Sequence, residues 1–494
     1  MFVNNVRGVV LAAGKSSRFK TKKCKLSFTV CGQPMVVFPI KALKDLDIPI
    51  TVVLGARKEE VKEVIESAGL RDLDYAVQKG QLGTGDAVKS SQKTWNKDNI
   101  LILNGDMPLV TQELLRELIF EHDRTNAAIT FLSAHCLNPF GYGRVVENDG
   151  KISIVEEKNC TQEQRLVTLI NAGVYIIKKS FLEKNLDKVK RNEVSGEYYV
   201  TDLVGLASDQ GDKVHTVYVP YDNVRGVNTL EELWVAEQIK RSQMIKFWMA
   251  QGVRFELAQS IHLDLDIEIG EESFIGTGAH ILKGTRIGRN CKINAFSIIE
   301  NTTIDDDTHV HSHSVIQDSK IGKNVHVGPF ARLRNNVVLG DNVGIGNFVE
   351  VKNTQIGDNT RTQHLSFLGD AKIGNNVNIG AGTVTCNYDG VKKNKTLVGD
   401  NCFIGSNNTL IAPVQVGKNS YTAAGSTVSD NVPEGTLAIG RARQENKVGY
   451  VEKLKNKKMT EASGAAGTSK AASENDIKLN FLGAVKTDEM QENL

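Results

Sequence analysis

Aliphatic residues recur at every sixth position through most of the second half of the chain. One run has Ile269, Ile275, Ile281, Ile287, Ile293 and Ile299, and a later run has Ile321, Val327, Leu333, Leu339, Ile345 and Val351. Single steps of five residues separate such runs. A hexapeptide period predicts a β-helix with three short parallel strands per coil and the aliphatic side chains in a narrow core. An ordinary all-β domain would not sustain the period over so many repeats.

One polar segment interrupts this period. Residues 385–395 read TCNYDGVKKNK, and the repeat resumes at Val398. We interpret the segment as a loop that leaves the coil. After about Val451 the period ends, and the composition becomes basic and then rich in Ala, Gly and Ser. This composition is typical of a disordered tail.

The first 230 residues follow a different pattern. Short β-rich runs lie at residues 9–11, 50–54, 100–103, 129–132 and 174–177, with helical patterns between several of them, as at 58–68 and 111–122. Strand–helix alternation predicts an α/β domain with a mostly parallel, Rossmann-like sheet. Residues 230–250 have apolar positions at helical spacing and contain no Pro or Gly. We therefore expect an α/β domain at 1–229, a linker helix at 230–252, a β-helix domain at 253–450 and a disordered tail at 451–494.

Bulk composition excludes several classes of protein. The formal net charge of +2 over 494 residues argues against a nucleic-acid-binding surface. No apolar run approaches the roughly 20 residues that span a bilayer, and the first residues lack the layout of a signal peptide. The seven cysteines are odd in number, widely spread and never in a CxxC pair. Reduced thiols in the cytoplasm fit this pattern best.

A glycine-containing turn follows the first predicted strand. Residues 11–18 read LAAGKSSR, and Lys25 follows shortly afterwards. Backbone N–H groups in such a turn, with nearby Lys and Arg, suit phosphate. The turn is not a Walker A loop, because five residues separate Gly8 from Gly14 where that motif has four, and it is not GxGxxG.

Further polar segments follow other predicted strands. QKGQLGTG at residues 78–85 supplies amides and glycines that suit a base edge. NGDMP at 104–108 places Asp106 directly after a strand end, where open α/β sheets bind ligands. GYGR at 141–144, Glu156 and NAG at 171–173 add polar groups suited to a sugar.

Polar residues also cluster in the middle coils of the predicted β-helix and in the predicted loop. They are Arg334, Lys352, His364, Asn378, Asn387, Tyr388, Asp389 and Lys393. Basic side chains suit a sugar phosphate, and a neutral histidine can take a proton from an amine near neutral pH. The alternative for His364 is a corner histidine hydrogen-bonded to the next coil.

Three histidines alternate along a neighbouring segment, at His309, His311 and His313. Their spacing places them on outward positions of one strand beside three aspartates. We expect a solvated face here rather than a zinc site, because no thiol or fourth ligand is nearby in the sequence.

Seven motifs in order carry a resemblance to a known family. LAAGKSSR, QLGTGDA, GDMP, GYGR, NAG, GEYYVTD (196–202) and GVN (226–228) resemble the signature of sugar-phosphate nucleotidyltransferases. With the hexapeptide domain behind them, residues 6–450 resemble the bifunctional N-acetylglucosamine-1-phosphate uridylyltransferases/glucosamine-1-phosphate N-acetyltransferases. The resemblance implies a left-handed parallel β-helix, a homotrimer, Mg²⁺ and acetyl-CoA as co-substrate. It also implies two reactions: acetylation of glucosamine-1-phosphate, and transfer of uridylyl from UTP to N-acetylglucosamine-1-phosphate with release of pyrophosphate.

The resemblance also implies roles for residues of the first domain. Uridylyl transfer needs alignment and charge neutralisation rather than covalent help from the protein. Implied nucleotide contacts are Leu11, Ala12 and Gly14 through their backbone, Gln78, Gln81, Gly83 and Thr84 at uracil, Lys25 at phosphate and Arg18 at the triphosphate. The sugar would contact Gly143, Glu156 and Asn171, and Mg²⁺ would bind Asp106 and Asn228. Taken singly, Asp106 and Asn228 could instead cap helices, and Arg18 and Lys25 could be surface charges.

In the second domain the resemblance makes His364 the general base. Implied contacts to the amino-sugar phosphate are Arg334, Lys352, Phe367, Asn378 and Lys393. Implied contacts to acetyl-CoA are Ala381, Asn387, Tyr388, Ser406, Ala424 and Arg441.

Three positions depart from the family pattern. Cys24 stands where the family usually has Pro, which predicts a looser turn, and Asp86 stands where many members have His. Phe367 stands where a tyrosine that contacts the sugar phosphate is expected. Loss of that hydroxyl removes a hydrogen bond of about 0.5–1.5 kcal/mol, so we expect weaker acceptor binding or a changed acceptor.

Two other functions compete with the bifunctional enzyme. A single-activity nucleotidyltransferase could use its β-helix only for assembly or regulation, but it would not need His364 and the NYDG loop. A non-enzymatic assembly protein would not need Arg18, Asp106 and Asn228 in family order.

Overall fold

The computed structural model describes residues 2–14 and 19–464. Arg18 and residues 465–494 therefore lie outside the described residues. The chain divides into one compact unit, Met1–Gly440, and a second, Arg441–Leu494. No helix in the described ranges is both long and apolar enough to cross a membrane.

Strands and helices alternate through the first part of the larger unit. The strands are β1 (Val6–Ala12), β2 (Thr29–Val30), β3 (Gln33–Pro34), β4 (Ile50–Leu54), β5 (Asp74–Val77), β6 (Asn99–Asn104), β7 (Ile129–His135), β8 (Arg144–Asn148), β9 (Lys151–Val155), β10 (Leu169–Lys178) and β11 (Val214–Tyr218). The helices are α1 (Val37–Lys44), α2 (Lys58–Ser67), α3 (Thr84–Ser90), α4 (Gln112–Thr125), α5 (Gln162–Arg165), α6 (Lys179–Asn185) and α7 (Asp202–Asp209). The predicted strands and helices are all present, with ends extended or trimmed by a few residues.

The main sheet has the strand order β11-β7-β10-β6-β1-β4-β5, and the hairpin β8–β9 attaches to β10. Only β10 runs antiparallel to its neighbours along this path, so the sheet is mostly parallel as predicted. Leu11 lies between Val53 and Asn104 in the register. The carboxyl ends of β1, β4 and β6 therefore meet at one edge, where parallel sheets present polar loops to ligands.

Helix α8 (Leu230–Ala250) links the α/β part to the β-helix, within the predicted residues 230–252. A capping box starts it: Glu232 N–H donates to Thr229 Oγ1 (3.1 Å), and Thr229 N–H donates to the Glu232 carboxylate (3.0 Å). Ile245 of this helix shares an apolar cluster with Met35 and with Leu263 of the first β-helix coil. Leu265 N–H also donates to Cys31 O (3.0 Å). The two parts are thus packed together through a continuous core.

Three parallel sheets form the β-helix, and each strand pairs with the strand three later except in the last pair of the first sheet, whose two strands are two apart. The first sheet contains β12 (Arg254–Phe255), β15 (Phe274–Ile275), β18 (Lys292–Ile293), β21 (His309–Val310), β24 (His326–Val327), β27 (Gly344–Asn347), β30 (Arg361–His364), β33 (Asn378–Ile379), β36 (Phe403–Ile404), β39 (Tyr421–Thr422) and β41 (Leu437–Ala438). The second contains β13 (His262–Leu263), β16 (His280–Ile281), β19 (Ile298–Glu300), β22 (Val315–Gln317), β25 (Arg332–Arg334), β28 (Glu350–Lys352), β31 (Phe367–Gly369), β34 (Val384–Cys386), β37 (Thr409–Ile411) and β40 (Thr427–Val428). The third contains β14 (Ile267–Ile269), β17 (Thr285–Ile287), β20 (Thr303–Ile304), β23 (Ser319–Ile321), β26 (Val337–Leu339), β29 (Gln355–Ile356), β32 (Ala371–Ile373), β35 (Thr396–Val398) and β38 (Val414–Val416).

The hexapeptide positions point into the core of this β-helix, as predicted. Ile275, Ile293 and Leu333 are fully buried, and Thr362 and Thr385 hold equivalent buried places. Asparagines such as Asn324, Asn342, Asn359 and Asn376 turn many corners in the left-handed backbone region, which Asn tolerates better than most residues. The predicted loop leaves the coil between β34 and β35.

The end of the chain differs from the prediction. The last strand ends at Ala438, and the compact unit ends at Gly440 rather than at 450. In the smaller unit, α9 (Tyr450–Gly464) occupies part of the segment predicted to be disordered. Its residues include many helix formers and a Lys457–Glu461 pair one turn apart (3.9 Å), which favour a helix without requiring a core.

Candidate active sites

A cavity of about 270 Å³ lies at the edge of the main sheet where β1 and β6 end. The residues that line it come from the polar segments singled out in the sequence. Predicted site residues among them are Leu11, Thr84, Asp106, Gly143, Glu156, Asn171 and Asn228. The fold therefore gathers residues from the whole length of the α/β part around one cavity.

Lys25 lies between the two predicted metal ligands. Its Nζ forms an ion pair with the Asp106 carboxylate and donates to Asn228 Oδ1 (3.0 Å) and to Val227 O (3.4 Å). The Lys25 and Asp106 side chains are only 12% and 16% exposed. Lys25 is therefore part of the site and is not a surface charge.

Backbone contacts hold these oxygens in place. Val227 N–H donates to Asp106 O (2.9 Å), and Asn228 N–H donates to the Glu232 carboxylate (2.6 Å) at the start of α8. The helix-cap alternative is wrong for both residues, because Thr111 caps α4 and Thr229 caps α8. The oxygens of Asp106, Asn228 and Val227 all approach one cationic atom. Oxygen ligands converging on one point fit Mg²⁺.

The predicted uracil-binding residues form a braced loop. Gln78 Nε2 donates to Gly83 O (2.9 Å) and to Asp86 Oδ2 (2.8 Å), while Gln81 Nε2 donates to Ala13 O (3.1 Å). Gly83 has φ +102°, and a Cβ there would lie 2.5 Å from Tyr198 O, so only glycine fits. Asp86 thus has a defined partner in the amide of Gln78.

The sugar end of the cavity is also cross-braced. Asn171 N–H donates to Gly143 O (2.9 Å), and Gly173 N–H donates to Asn171 Oδ1 (3.1 Å). Thr201 Oγ1 donates to Glu156 Oε1 (2.7 Å). Burial raises the pKa of Glu156 despite this hydrogen bond. A carboxylate with a desolvated oxygen is suited to accept a hydrogen bond from a sugar hydroxyl.

On the β-helix, His364 and several predicted coenzyme A contacts lie in one column. The column consists of residues at the same corner position in successive coils: Asn347, His364, Ala381, Ser406 and Ala424. Backbone bonds between coils define it, since Leu365 N–H donates to Asn347 O, Gly382 N–H to His364 O, Asn407 N–H to Ala381 O and Gly425 N–H to Ser406 O. We call it the His364 column.

His364 is oriented by the preceding coil. Its Nδ1 lies 2.9 Å from Asn347 Oδ1, and its side chain is exposed at the corner. The alternative, a corner histidine hydrogen-bonded to a neighbouring coil, also fits this contact, so the role of His364 as general base stays a prediction. The imidazole Nε2 is the nitrogen directed away from this hydrogen bond.

Basic side chains lie on the adjoining sheet. Arg334 is opposite Lys352 in the register, and its guanidinium pairs with the Glu350 carboxylate (2.7 Å). The ammonium of Lys393 from the extruded loop, together with Arg334, lowers the pKa of Lys352. Three cations from two coils and the loop are thereby held close together despite their mutual repulsion, which suits an anion such as a phosphate.

The extruded loop is tied to itself and to the coils. Asp389 accepts from Val391 N–H (2.9 Å) and Lys392 N–H (2.8 Å), and these bonds lower its pKa to about 2. Asn387 Nδ2 donates to the Asp370 carboxylate, and Tyr388 Oη donates to Gly390 O (2.6 Å). These bonds give the loop one defined conformation beside Lys352.

Comparisons with known proteins match both parts of the chain. Residues 8–149 match the MobA-like NTP transferase domain, 265–364 the GMPPB C-terminal domain, and 395–430 the bacterial transferase hexapeptide repeats. The bifunctional protein GlmU of Clostridium kluyveri is 41% identical over 455 residues, covering 91% of this chain and 99% of its own. The bifunctional protein GlmU of Thermosipho melanesiensis is 42% identical over 465 residues (90% and 97%), and that of Clostridium botulinum (strain ATCC 19397 / Type A) is 40% identical over 450 residues (90% and 98%).

The chain belongs to the family of bifunctional GlmU proteins. The predicted fold, a Rossmann-like nucleotidyltransferase domain followed by a left-handed hexapeptide β-helix, is confirmed. The predicted enzyme class, a nucleotidyltransferase joined to an acyltransferase, is confirmed as well.

The positions of three other predicted site residues of this GlmU-family chain are as follows. Gly14 follows β1, and a Cβ there would meet no atom within 4 Å. Asn378 faces outward on the sheet that carries His364, in register with Arg361 and Phe403. Arg441 begins the smaller unit. The roles of all predicted site residues, Arg18 included, stay predictions.

Sequence reasoning missed several residues of both sites. Gly55 follows β4, and a Cβ there would lie 2.5 Å from Ala13 O and 2.7 Å from Gln81 Nε2. Its position directly after a parallel strand was the available signal. Tyr199 and Thr201 line the cavity and belong to the quoted GEYYVTD motif, which was given no role. Asn347 was missed because nothing in the local sequence distinguishes it from the other corner asparagines.

Proposed function

We propose that the cavity of the α/β domain transfers uridylyl from UTP to N-acetylglucosamine-1-phosphate. An oxygen of the sugar 1-phosphate attacks the α-phosphorus of UTP, the bond to the β-phosphate oxygen breaks, and pyrophosphate leaves. The observation that carries this proposal is the convergence of Lys25, Asp106 and Asn228 at the strand edge. The cavity beside them has a polar sugar end and a glycine-rich nucleotide end.

Asp106 and Asn228 are the residues that would hold Mg²⁺, with oxygen ligands alone. The bound ion supplies charge neutralisation for the phosphates of UTP. Lys25 contacts the same oxygens. It would turn to a phosphate oxygen when the Asp106 carboxylate holds Mg²⁺ instead. Arg18 would add a second cation for the triphosphate. The protein's contribution is therefore alignment of the two phosphates and stabilisation of their charge.

Gln78 and Gln81 support recognition of uracil. The Nε2 atoms of both side chains donate to protein oxygens, and the two Oε1 atoms can accept a hydrogen bond from the base. Uracil presents an N–H donor on its pairing edge, whereas cytosine presents an acceptor at the equivalent position. Backbone groups of Leu11, Ala12 and Gly14, with Gly83 and Thr84, complete the nucleotide contacts. Gly143, Glu156 and Asn171 bind the sugar.

We propose that the β-helix transfers acetyl from acetyl-CoA to glucosamine-1-phosphate. The substrate amine attacks the thioester carbonyl, the C–S bond breaks, and coenzyme A leaves as the thiol. His364 takes the proton from the amine at Nε2, since Nδ1 faces Asn347 Oδ1. Arg334, Lys352 and Lys393 would bind the phosphate, with Phe367 and Asn378 beside the sugar. Ala381, Ser406 and Ala424 in the His364 column, with Asn387, Tyr388 and Arg441, would bind acetyl-CoA.

The same proposal extends to assembly and location. We expect a homotrimer, with the acetyl-transfer pocket at subunit contacts, as the resemblance implies for β-helices of this family. A cytoplasmic location is supported by the seven free cysteines, six of them buried. Light scattering showing a monomer at micromolar concentration would refute the trimer.

The first experiment tests uridylyl transfer. Purified protein with Mg²⁺, UTP and N-acetylglucosamine-1-phosphate should release pyrophosphate, and the signal should vanish with a chelator. Asp106→Asn should reduce the rate by at least 100-fold, because it removes a charge and keeps the side-chain shape, and its unfolding temperature establishes that the variant folds. Absence of pyrophosphate release from the unaltered protein across pH and divalent metals would refute the assignment.

The second experiment separates the two reactions. His364→Ala should abolish acetyl transfer from acetyl-CoA to glucosamine-1-phosphate and leave uridylyl transfer intact. The reciprocal variant, Asp106→Asn, should leave acetyl transfer intact. If the chain were only a nucleotidyltransferase, the unaltered protein would show no acetyl transfer. A loss of both activities in either variant would contradict the proposal of two separate sites.

A further inference from the structure

Three histidines from two neighbouring coils form a cluster outside both proposed sites. His309 and His311 lie on one coil, and His326 lies on the next, opposite His309 in the register. One ligand atom from each residue lies within 4.8 Å of the other two. The His309 and His311 ring centroids are 3.9 Å apart, and the His326 centroid is 5.7 and 5.8 Å from them. Of the described residues, only these form such a group of metal-ligand type.

The alternation in the sequence grouped other residues, which were expected to form a solvated face. His313 was grouped with His309 and His311, but it turns a corner with φ +60° and its ring stacks between Phe296 and Phe330, at 5.2 and 5.0 Å. The third member comes instead from the next coil. Coil stacking, which brings residues 17 positions apart into contact, supplies the ligand that the local sequence lacked.

Burial disfavours the charged form of two of the three imidazoles. Burial first, and the neighbouring His311 second, lower the pKa of His309 to about 4, and burial lowers that of His311. The charged group that faces them is Lys292, opposite His309 in the preceding coil, while Asn294 Nδ2 lies 3.0 Å from His309 Nε2. Neutral imidazole is the form that ligates a metal. His309 and His311 are half-buried, and His326 is exposed.

Two glycines lie beside His326. Gly344 occupies the register position after His326, and Gly328 follows His326 by two residues. A Cβ at Gly344 would lie 2.6 Å from Gln363 Nε2. A Cβ at Gly328 would lie 2.1 Å from Ser314 Oγ, so the side chains of Gln363 and Ser314 pack against these two glycines.

We propose that His309, His311 and His326 bind a divalent transition-metal ion, with Zn²⁺ as the probe. Imidazole nitrogens suit Zn²⁺, Co²⁺ and Ni²⁺ and not Mg²⁺, which prefers oxygen. In a tetrahedral site with Zn–N bonds of about 2.0–2.1 Å, two ligating nitrogens lie roughly 3.3 Å apart. The ligand nitrogens of the three histidines lie within 4.8 Å of one another, so a ring movement of about 1 Å brings them to that distance. The bound ion would cross-link two coils and stabilise this part of the β-helix.

Metal titration of the full-length protein tests the proposal. Isothermal titration calorimetry should show one Zn²⁺ bound per chain. The buffer contains Mg²⁺ in excess, at about 10 mM, so that sites with oxygen ligands are saturated. The unfolding temperature should rise with Zn²⁺ concentration, because an ion that binds only the folded state stabilises it. Cobalt substitution should give visible absorption bands of a nitrogen-ligated site.

Matched variants assign the ligands. His326→Gln and His311→Gln should each weaken Zn²⁺ affinity by at least 10-fold, whereas His313→Gln, on the same segment but outside the cluster, should leave it unchanged. Asp106→Asn should also leave it unchanged, which separates this site from the proposed Mg²⁺ site. Each variant's unfolding temperature in chelator establishes that it folds. Zn²⁺ binding that Mg²⁺ abolishes, that survives His326→Gln, or that is absent from the unaltered protein would overturn the proposal.

Discussion

Asn347 Oδ1 lies 2.9 Å from His364 Nδ1, so a corner amide in one coil orients the imidazole of the next. A carbonyl oxygen only accepts hydrogen bonds, so the proton of the neutral imidazole resides on Nδ1 and the lone pair on Nε2. The tautomer is thus set by a residue that touches no substrate in our proposal. Asn347 is a positioning residue for the proposed general base.

Replacing Asn347 tests this relationship. Asn347→Ala should lower kcat for acetyl transfer by roughly 2- to 12-fold, the equivalent of one hydrogen bond of about 0.5–1.5 kcal/mol. Asn347→Asp should place a carboxylate beside Nδ1 and raise the pKa of His364, which moves the acid limb of the pH–rate profile to higher pH. Steady-state kinetics between pH 5.5 and 9 measure both effects. A profile that Asn347→Asp does not move would contradict the orienting role, and uridylyl transfer serves as the control.

Glu156 should make the free protein less stable at neutral pH. Its pKa is raised by burial in the folded state, so the stability it contributes is fully present below its unfolded pKa and is lost as pH rises through the folded pKa. Glu156→Gln stays neutral and can still accept from Thr201. We expect the variant to unfold at higher temperature than the unaltered protein at pH 7 and at the same temperature near pH 4, while its KM for the sugar phosphate rises.

The adjacent Glu157 provides the opposite case. Burial acts to raise its pKa, but hydrogen bonds from Arg144 (2.7 Å) and from Gly141 N–H (3.1 Å) outweigh burial and lower the pKa. Its contribution to stability is present above the unfolded pKa and is lost as pH falls through the folded pKa. Glu157→Gln should therefore lower the unfolding temperature at pH 7. Equal signs for Glu156→Gln and Glu157→Gln would contradict the burial argument.

Asp86 should matter for base recognition although the resemblance assigned it no role. It accepts from Gln78 Nε2 (2.8 Å) and so fixes which end of that amide faces the nucleotide. Asp86→Ala should raise the KM for UTP and reduce the preference for UTP over CTP by several-fold. Lys89→Ala, on the same helix and paired at the surface with Asp187, is the control and should change neither. Unaltered discrimination in Asp86→Ala would assign base recognition to other groups.

Phe367 should weaken acceptor binding in the acetyl-transfer site. Its ring extends across Gly369, where a Cβ would lie 2.7 Å from both Phe367 Cζ and Asn387 Nδ2. A hydroxyl on Cζ would therefore be near the loop that carries Lys393. Phe367→Tyr should lower the KM for glucosamine-1-phosphate by about 2- to 12-fold, with kcat nearly constant, because the added hydrogen bond is of order 0.5–1.5 kcal/mol.

The matched control for this change is Phe367→Leu, which removes the ring without adding a donor. It should raise the same KM. A KM for glucosamine-1-phosphate that Phe367→Tyr leaves unchanged, together with faster acetylation of another amino-sugar phosphate by the unaltered protein, would show that Phe367 alters the acceptor instead.

Cys24 illustrates how a departure from the family pattern is accommodated. The sequence predicted a looser turn without Pro. The backbone at Cys24 has φ −64°, a value that Pro also adopts, and its N–H donates to Glu60 Oε1 (2.9 Å). Proline would have no N–H for this bond. The turn is therefore held by a hydrogen bond to Glu60 where proline would hold it by its ring. The sequence around Cys24 does not reveal this partner, which is 36 residues away.

Elements defined by a repeating pattern were predictable from the sequence. The hexapeptide ladder, the strand ends at Asn104 and Ala12, and helix α8 all follow from side-chain period and from breaks in that period. Each depends on neighbours within a few residues, where backbone geometry alone sets which side chains share a face. Composition predicted a disordered tail, whereas α9 occupies the first residues of that segment, which include helix formers and the Lys457–Glu461 pair.

The sequence by itself determined the architecture of this protein, its family and the set of residues from which its sites are drawn. Only the tertiary structure decided which of those residues meet. Lys25 lies between Asp106 and Asn228, which are 81 and 203 positions away, and Asn347 and His326 reach their partners across one coil. The physical reason is that a period specifies the direction of each side chain, whereas a contact requires the path of the whole backbone between two residues.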